Sequence, residues 1–137
     1  MDKICKNLII ESKLSNLRVI ENAIDEITGN IGINQDNYGK ILVATLEAVN
    51  NAITHGNKGE VDKKVGVEIK YENKNIIIQV TDEGEGFKPD EIPDPTKPEN
   101  IEELSGRGVF LMKKLADNIE FNEKGNSVTM IFREVKV

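Results

Sequence analysis

Glu47-Ala48-Val49-Asn50-Asn51-Ala52-Ile53-Thr54-His55-Gly56 is the stretch on which the reading of this chain turns. Glu47, Asn51 and His55 recur at every fourth position, so a helix lines them up on one side. Ile41, Leu42, Thr45 (through its methyl), Leu46, Val49, Ala52 and Ile53 keep the helical period around them. The pattern predicts a helix from Asn34 to about His55, ended by Gly56. An amide on such a helix can offer a neutral carbonyl oxygen to a hard cation such as Mg²⁺. A carboxylate one turn earlier can orient a hydroxyl or water, or accept its proton. A polar stripe on the edge of an amphipathic helix would carry the same letters, and the helix alone does not choose between the two.

Towards the N-terminus, residues 4–11 read as a strand. Leu14, Leu17, Ile20, Ile24 and Ile27 then mark a first helix, with Ser12 or Ser15 as its cap and Gly29 at its end. Towards the C-terminus the period changes to two. Val65, Val67, Ile69 and Tyr71 alternate with polar residues, Glu72-Asn73-Lys74-Asn75 turns the chain, and Ile76–Val80 returns. A third helix fits Gly108 to about Ala116, and a hairpin around Glu123-Lys124-Gly125-Asn126 joins Asn118–Asn122 to Val128–Val135. The order β-α-α-β-β-α-β-β predicts helices gathered on one face of a mostly antiparallel sheet.

The 137 residues make one domain, expected to span 1–137. With no Trp and six aromatic residues (two Tyr, four Phe), the core must be aliphatic. A net charge of −6 argues against a broad nucleic-acid-binding face, which needs a surplus of Lys and Arg. A local nucleotide site is still allowed, because backbone amides and a metal ion can hold phosphates. Cys5 is the only cysteine, the N-terminus lacks the apolar run of a signal peptide, and no segment reaches the length of a membrane span. Those features make the cytoplasm the expected location, away from membranes.

Two glycine motifs follow the helix. Asp82-Glu83-Gly84-Glu85-Gly86 comes directly after a strand, where an aspartate can accept a hydrogen bond from an exocyclic amine such as that of adenine. Its glycines permit tight turning and close backbone approach. Its three acidic residues would repel phosphates, so it suits the base end of a nucleotide. Ser105-Gly106-Arg107-Gly108 leads into a helix and would present free N–H groups, the positive end of a dipole and a permanent cation to an anion. An ordinary turn and an ordinary helix start would each look alike in isolation. Between the two motifs lie all four prolines and no periodicity, which predicts a lid over residues 88–105.

Taken in order, these elements resemble the ATPase superfamily of gyrase B, Hsp90, histidine kinases and MutL. Glu47-x-x-x-Asn51-Ala52 resembles its N box, Asp82-x-Gly84-x-Gly86 its G1 box and Gly106-x-Gly108 its G2 box. The short length and the sequence E-A-V-N-N-A-I-T-H are most similar to bacterial anti-sigma factor serine-protein kinases. The resemblance implies an α+β fold, a two-layer sandwich of the Bergerat type with a mixed, mostly antiparallel sheet. It implies ATP and Mg²⁺ as ligands, with Asn51 on the metal and Asp82 on the adenine amine. Gly84 and Gly86 would give the base room, Gly106 and Gly108 would cradle phosphates, and Ser127 would stand near the base. Glu47 would be the general base. Leu104 stands where some sporulation-type relatives carry arginine, leaving Arg107 or Lys97 to meet the terminal phosphate. A self-sufficient histidine kinase is not implied, because the one histidine lies inside the N box. The implied activity is phosphorylation of a serine or threonine on a small anti-anti-sigma protein, with a sigma factor as the other partner and a homodimer admitted. A nucleotide-gated binding module or a slow ATPase would use the same residues.

Overall fold

The computed structural model describes residues 3–84 and 104–135 and, in the second segment, side chains from residue 108 onward. Strand β1 (Ile4–Glu11) leads through a short 3-10 turn into helix α1 (Leu17–Ile31) and helix α2 (Gln35–Asn51). Strands β2 (Lys64–Glu72) and β3 (Asn75–Thr81), helix α3 (Leu104–Leu115), and strands β4 (Asn118–Phe121) and β5 (Ser127–Phe132) complete it. The expected element order holds. The sheet runs β1-β2-β3-β5-β4. All four pairings are antiparallel, so no parallel pair makes it mixed among the described residues.

Alternation in the strands sends one set of side chains inward: Val65, Val67, Ile69 and Tyr71 from β2, Ile76, Ile78 and Val80 from β3, Val128, Met130 and Phe132 from β5. The register stacks them in rows, with Val67 opposite Val80 and Ile78 opposite both Ile69 and Met130. Helix α1 covers them with Ile20, Ala23, Ile24, Ile27 and Ile31, and α2 with Ile41, Ala44, Ala48 and Val49. The opposite face of the sheet, with Glu68, Lys70 and Gln79, has no helix over it among the described residues. The result is the two-layer α+β sandwich expected.

Two helix ends differ from the expectation. Helix α1 passes through Gly29 and stops at Gly32, whose φ of 84° is left-handed and whose N–H bonds the Thr28 carbonyl at 3.0 Å. The extra turn buries Ile31, so the apolar stripe, not the first available glycine, sets the end. Ser12 caps nothing: it is buried and its hydroxyl donates to the Lys63 carbonyl at 2.7 Å. At α2 the Asn34 side chain accepts from Asn37 N–H, as an N-cap should. The far end widens into one π-helical turn, Ala52–Gly56, closed by the Asn57 N–H on the Ala52 carbonyl at 2.8 Å. Single π turns often mark functional sites.

The β2–β3 hairpin has Asn73 at φ 53° and Lys74 at φ 67°, the two left-handed residues of a primed turn. A left-handed lysine costs about 1–2 kcal/mol, and glycine there would give back about 0.5–1 kcal/mol in entropy. Lys74→Gly is therefore expected to stabilise the protein by up to about 1 kcal/mol, read as a higher urea midpoint at unchanged slope.

Candidate functional site

A cleft of about 140 Å³ opens where α2, β3, α3 and the β4–β5 hairpin meet. Ala48, Ala52, Val80, Val109, Met112 and Val128 give it apolar walls, and Asn51, His55, Asp82, Asn126 and Ser127 supply its polar groups. A few convergent polar groups on an apolar cleft describe a ligand site.

Three contacts set its geometry, and glycine permits each. A Cβ on Gly108 would lie 2.5 Å from Asn51 Nδ2 and 3.0 Å from its Oδ1, so α3 crosses α2 directly against the Asn51 amide. A Cβ on Gly56 would lie within 2.8 Å of both Asp82 carboxylate oxygens. A Cβ on Gly84 would fall 2.6 Å from the Gly56 carbonyl carbon. None of the three has a positive φ, so these glycines provide space rather than unusual backbone. For Gly84 the close approach is to the end of the π turn rather than to a ligand.

Asp82 follows β3, and its Oδ1 accepts the Gly84 N–H at 2.8 Å. Burial raises its pKa above the ordinary carboxylate value; the Gly84 N–H bond, Lys124 and Lys63 act in the opposite direction. A carboxylate desolvated beside an apolar cleft is suited to a neutral N–H donor, which adenine's exocyclic amine would provide. With the folded pKa raised, Asp82's contribution to stability is full below the unfolded carboxylate pKa and is lost as pH rises through the folded one. Asp82→Asn can keep the Gly84 bond while removing the desolvated charge. Its melting temperature at neutral pH is expected to be unchanged or higher, while ATP affinity falls about tenfold or more for one lost charge-assisted bond. Calorimetry beside a thermal melt checks both halves. Equal GTP and ATP binding by the parent protein would overturn the adenine assignment.

The hairpin contributes residues that the sequence reading passed over. Asp82 N–H bonds the Asn126 carbonyl at 2.9 Å, and Asn126 Nδ2 returns a bond to the Asp82 carbonyl at 2.8 Å. Asn126 is held by Asn122, whose Oδ1 accepts from the N–H groups of Gly125, Asn126 and Ser127 at 2.8, 3.0 and 3.2 Å. The asparagine-rich turn was the available signal, since Asn side chains cap local N–H groups. Ser127 lines the cleft beside this clasp, its hydroxyl 2.8 Å from that of Thr81 on the neighbouring strand.

Asn51, Asp82 and Ser127 thus line one cleft, while Gly84 and Gly108 pack against two residues of its wall, Gly56 and Asn51. Glu47 is half-buried one turn before Asn51 and is not among the described residues that wall the cleft. Helix α3 begins at Leu104, so Gly106 and Gly108 fall inside it and not before it. The Arg107 side chain, Gly86, Lys97 and residues 88–103 of the expected lid lie outside the described residues. No helix of the described residues is long and apolar enough to cross a membrane.

A model of the histidine kinase-like ATPase domain matches residues 10–132. The chain belongs to that family. Within it, the anti-sigma F factor of Oceanobacillus iheyensis is 37% identical over 102 residues, covering 69% of this chain and 68% of that protein. The serine-protein kinase RsbW of Listeria monocytogenes is 28% identical over 116 residues, covering 79% of this chain and 73% of its own. Among solved structures, the RsbU and RsbW domains of Rv1364c from Mycobacterium tuberculosis superpose with a TM-score of 0.64 at 18% identity over 95% of this chain. This chain spans 32% of that longer protein, and the likeness supports the fold.

The residues present fit an adenine nucleotide, with the Asp82 carboxylate set beside apolar walls. They also fit a cation that arrives with the nucleotide. Among the described residues no group of three or more His, Cys, Asp or Glu could hold a metal by itself, whereas Asn51 presents a neutral amide at the cleft. Mg²⁺ commonly takes one or two protein oxygens and completes its shell with phosphates and water.

Proposed function

We propose that this chain is an ATP-dependent anti-sigma factor and serine/threonine protein kinase, whose substrate is a small anti-anti-sigma protein and whose alternative partner is a sigma factor. The observation that carries the reading is the meeting of the Asn51 amide with Gly108 of α3, at the wall of the cleft that Asp82 also lines. In this reading the first turns of α3, the Asn51 amide and the Asp82 carboxylate would meet the phosphates, a cation and the base of one nucleotide. The names of the relatives support the same activity.

In this mechanism Asp82 accepts from the adenine amine and Ser127 stands beside the base. Gly106, Arg107 and Gly108 bring the N-terminal end of α3 to the phosphates. Gly86 belongs with Gly84 to the base loop. Asn51 would hold Mg²⁺, which supplies neutralisation of phosphate charge. Glu47 accepts the proton of the partner's hydroxyl as its oxygen forms a bond to the terminal phosphorus, and the bond from that phosphorus to the departing ADP oxygen breaks. The protein would act in the cytoplasm, as monomer or homodimer.

The test is incubation of the purified protein with γ-labelled ATP and Mg²⁺ in extract of its own cells. One small protein labelled on serine or threonine is the expected result. Free phosphate alone would identify a slow ATPase, and neither product a nucleotide-gated binder.

A further inference from the structure

Asn57 directly follows the π turn, has no exposed surface and hydrogen-bonds to three separate segments. Its Oδ1 accepts the Glu83 N–H at 2.8 Å, inside the Asp82–Gly84 loop. Its Nδ2 donates to Ser12 Oγ at 2.9 Å and to the Lys64 carbonyl at 3.0 Å. Ser12, just past the end of β1, is itself buried, and its hydroxyl donates to the Lys63 carbonyl at 2.7 Å. Glu83 closes the ring through its side chain, which accepts the Lys64 N–H. Every polar atom of the Asn57 amide is engaged, and none lines the cleft.

A buried, fully satisfied amide fixes the relative position of the groups it joins. Here one of those groups is the peptide between Asp82 and Gly84. The loop is held in three further ways: by the Glu83 carboxylate on the Lys64 N–H, by the Asn126 clasp on Asp82, and by the packing of Gly84 and the Asp82 carboxylate on Gly56. Gly56 adjoins Asn57, so that amide sets both the loop and the surface it rests on.

We propose that Asn57 is a positioning residue of the nucleotide site, aiming the Asp82 carboxylate at the base and coupling that aim, through Ser12, to the point where β1 leaves the sheet. The inference rests on the nucleotide-site reading above. It assigns Asn57 a role in ground-state nucleotide binding and none in the transfer step.

Three variants separate this from a purely structural role: Asn57→Ala, Ser12→Ala and, as a control, Thr28→Ala. Thr28 is a comparably buried residue whose hydroxyl donates within α1, to the Ile24 carbonyl at 2.7 Å. Each is compared with the parent at a temperature where it is fully folded. Asn57→Ala is expected to raise Kd and KM for ATP about tenfold, and Ser12→Ala about threefold, for the loss of one or more hydrogen bonds. The value of kcat should stay within about twofold, because no group acting in transfer is removed. Amide exchange at Glu83 should accelerate in Asn57→Ala as the loop opens more often. Thr28→Ala should lose melting temperature and keep both affinity and exchange at Glu83. If Asn57→Ala and Ser12→Ala behave like Thr28→Ala, the inference is overturned. If Asn57→Ala does not fold, the Ser12→Ala affinity decides alone, since that variant leaves the Asn57–Glu83 bond intact. Failure of the parent to bind ATP would instead sink the nucleotide-site reading.

Discussion

Glu47→Gln is expected to bind Mg-ATP within a few-fold of the parent and to lose transfer to the partner by about 10²–10⁴-fold, the usual contribution of a positioned general base. Asn51→Ala is expected to lose both. The difference follows from position. Asn51 lines the cleft and lies against Gly108, so removing its amide removes the oxygen proposed to meet the cation. Glu47 is half-buried one helical turn earlier and is not part of the described cleft wall, so its loss should leave the binding surface intact. Gln keeps the length and hydrogen-bonding capacity of Glu but cannot take a proton. If Glu47 were only part of a polar stripe, neither quantity would move. Equilibrium binding and single-turnover transfer, measured on both variants, distinguish the cases. Normal phosphorylation by Glu47→Gln would remove that residue from the mechanism.

The elements were legible because the apolar period changes from 3.6 to 2 between α2 and β2, and such patterns are local. The turn at Glu72–Asn75 and the start of α2 near Asn34 could be read for the same reason. What escaped was interaction at long sequence separation. Ser12 looked like a helix cap because it precedes an apolar run, yet its partners are Lys63 and Asn57. Asn57 reads as a polar residue after a helix, and only the fold brings Glu83 to it. Asn126 reads as one turn residue among four, and only the β3–β5 pairing sets it against Asp82. The motif glycines were read as members of one site. Their physical role was only partly foreseen, since Gly84 makes room for the Gly56 carbonyl and Gly108 for the Asn51 amide.

That distinction gives different signatures for two glycine substitutions. In Gly84→Ala the new methyl meets a backbone carbonyl, which cannot rotate away, so the loop and the π turn must separate. Overpacking of this kind costs about 1–3 kcal/mol. Because the displaced loop carries Asp82, ATP affinity should fall by about tenfold or more, as for losing its hydrogen bond outright. In Gly108→Ala the methyl meets the end of a side chain, which can swing. The stability loss should therefore be the smaller of the two. The swung amide is the one assigned to the metal, so binding in the presence of Mg²⁺ should weaken towards its value without Mg²⁺. Gly29→Ala serves as the reference, because a Cβ there, in the last turn of α1, meets nothing within 4 Å. It should leave binding alone and gain about 0.5–1 kcal/mol of stability. Urea unfolding and calorimetry with and without Mg²⁺ read all three. If Gly108→Ala binds Mg-ATP as the parent does, the contact between α3 and Asn51 plays no part in holding the nucleotide, and the assignment of Asn51 to the metal goes with it.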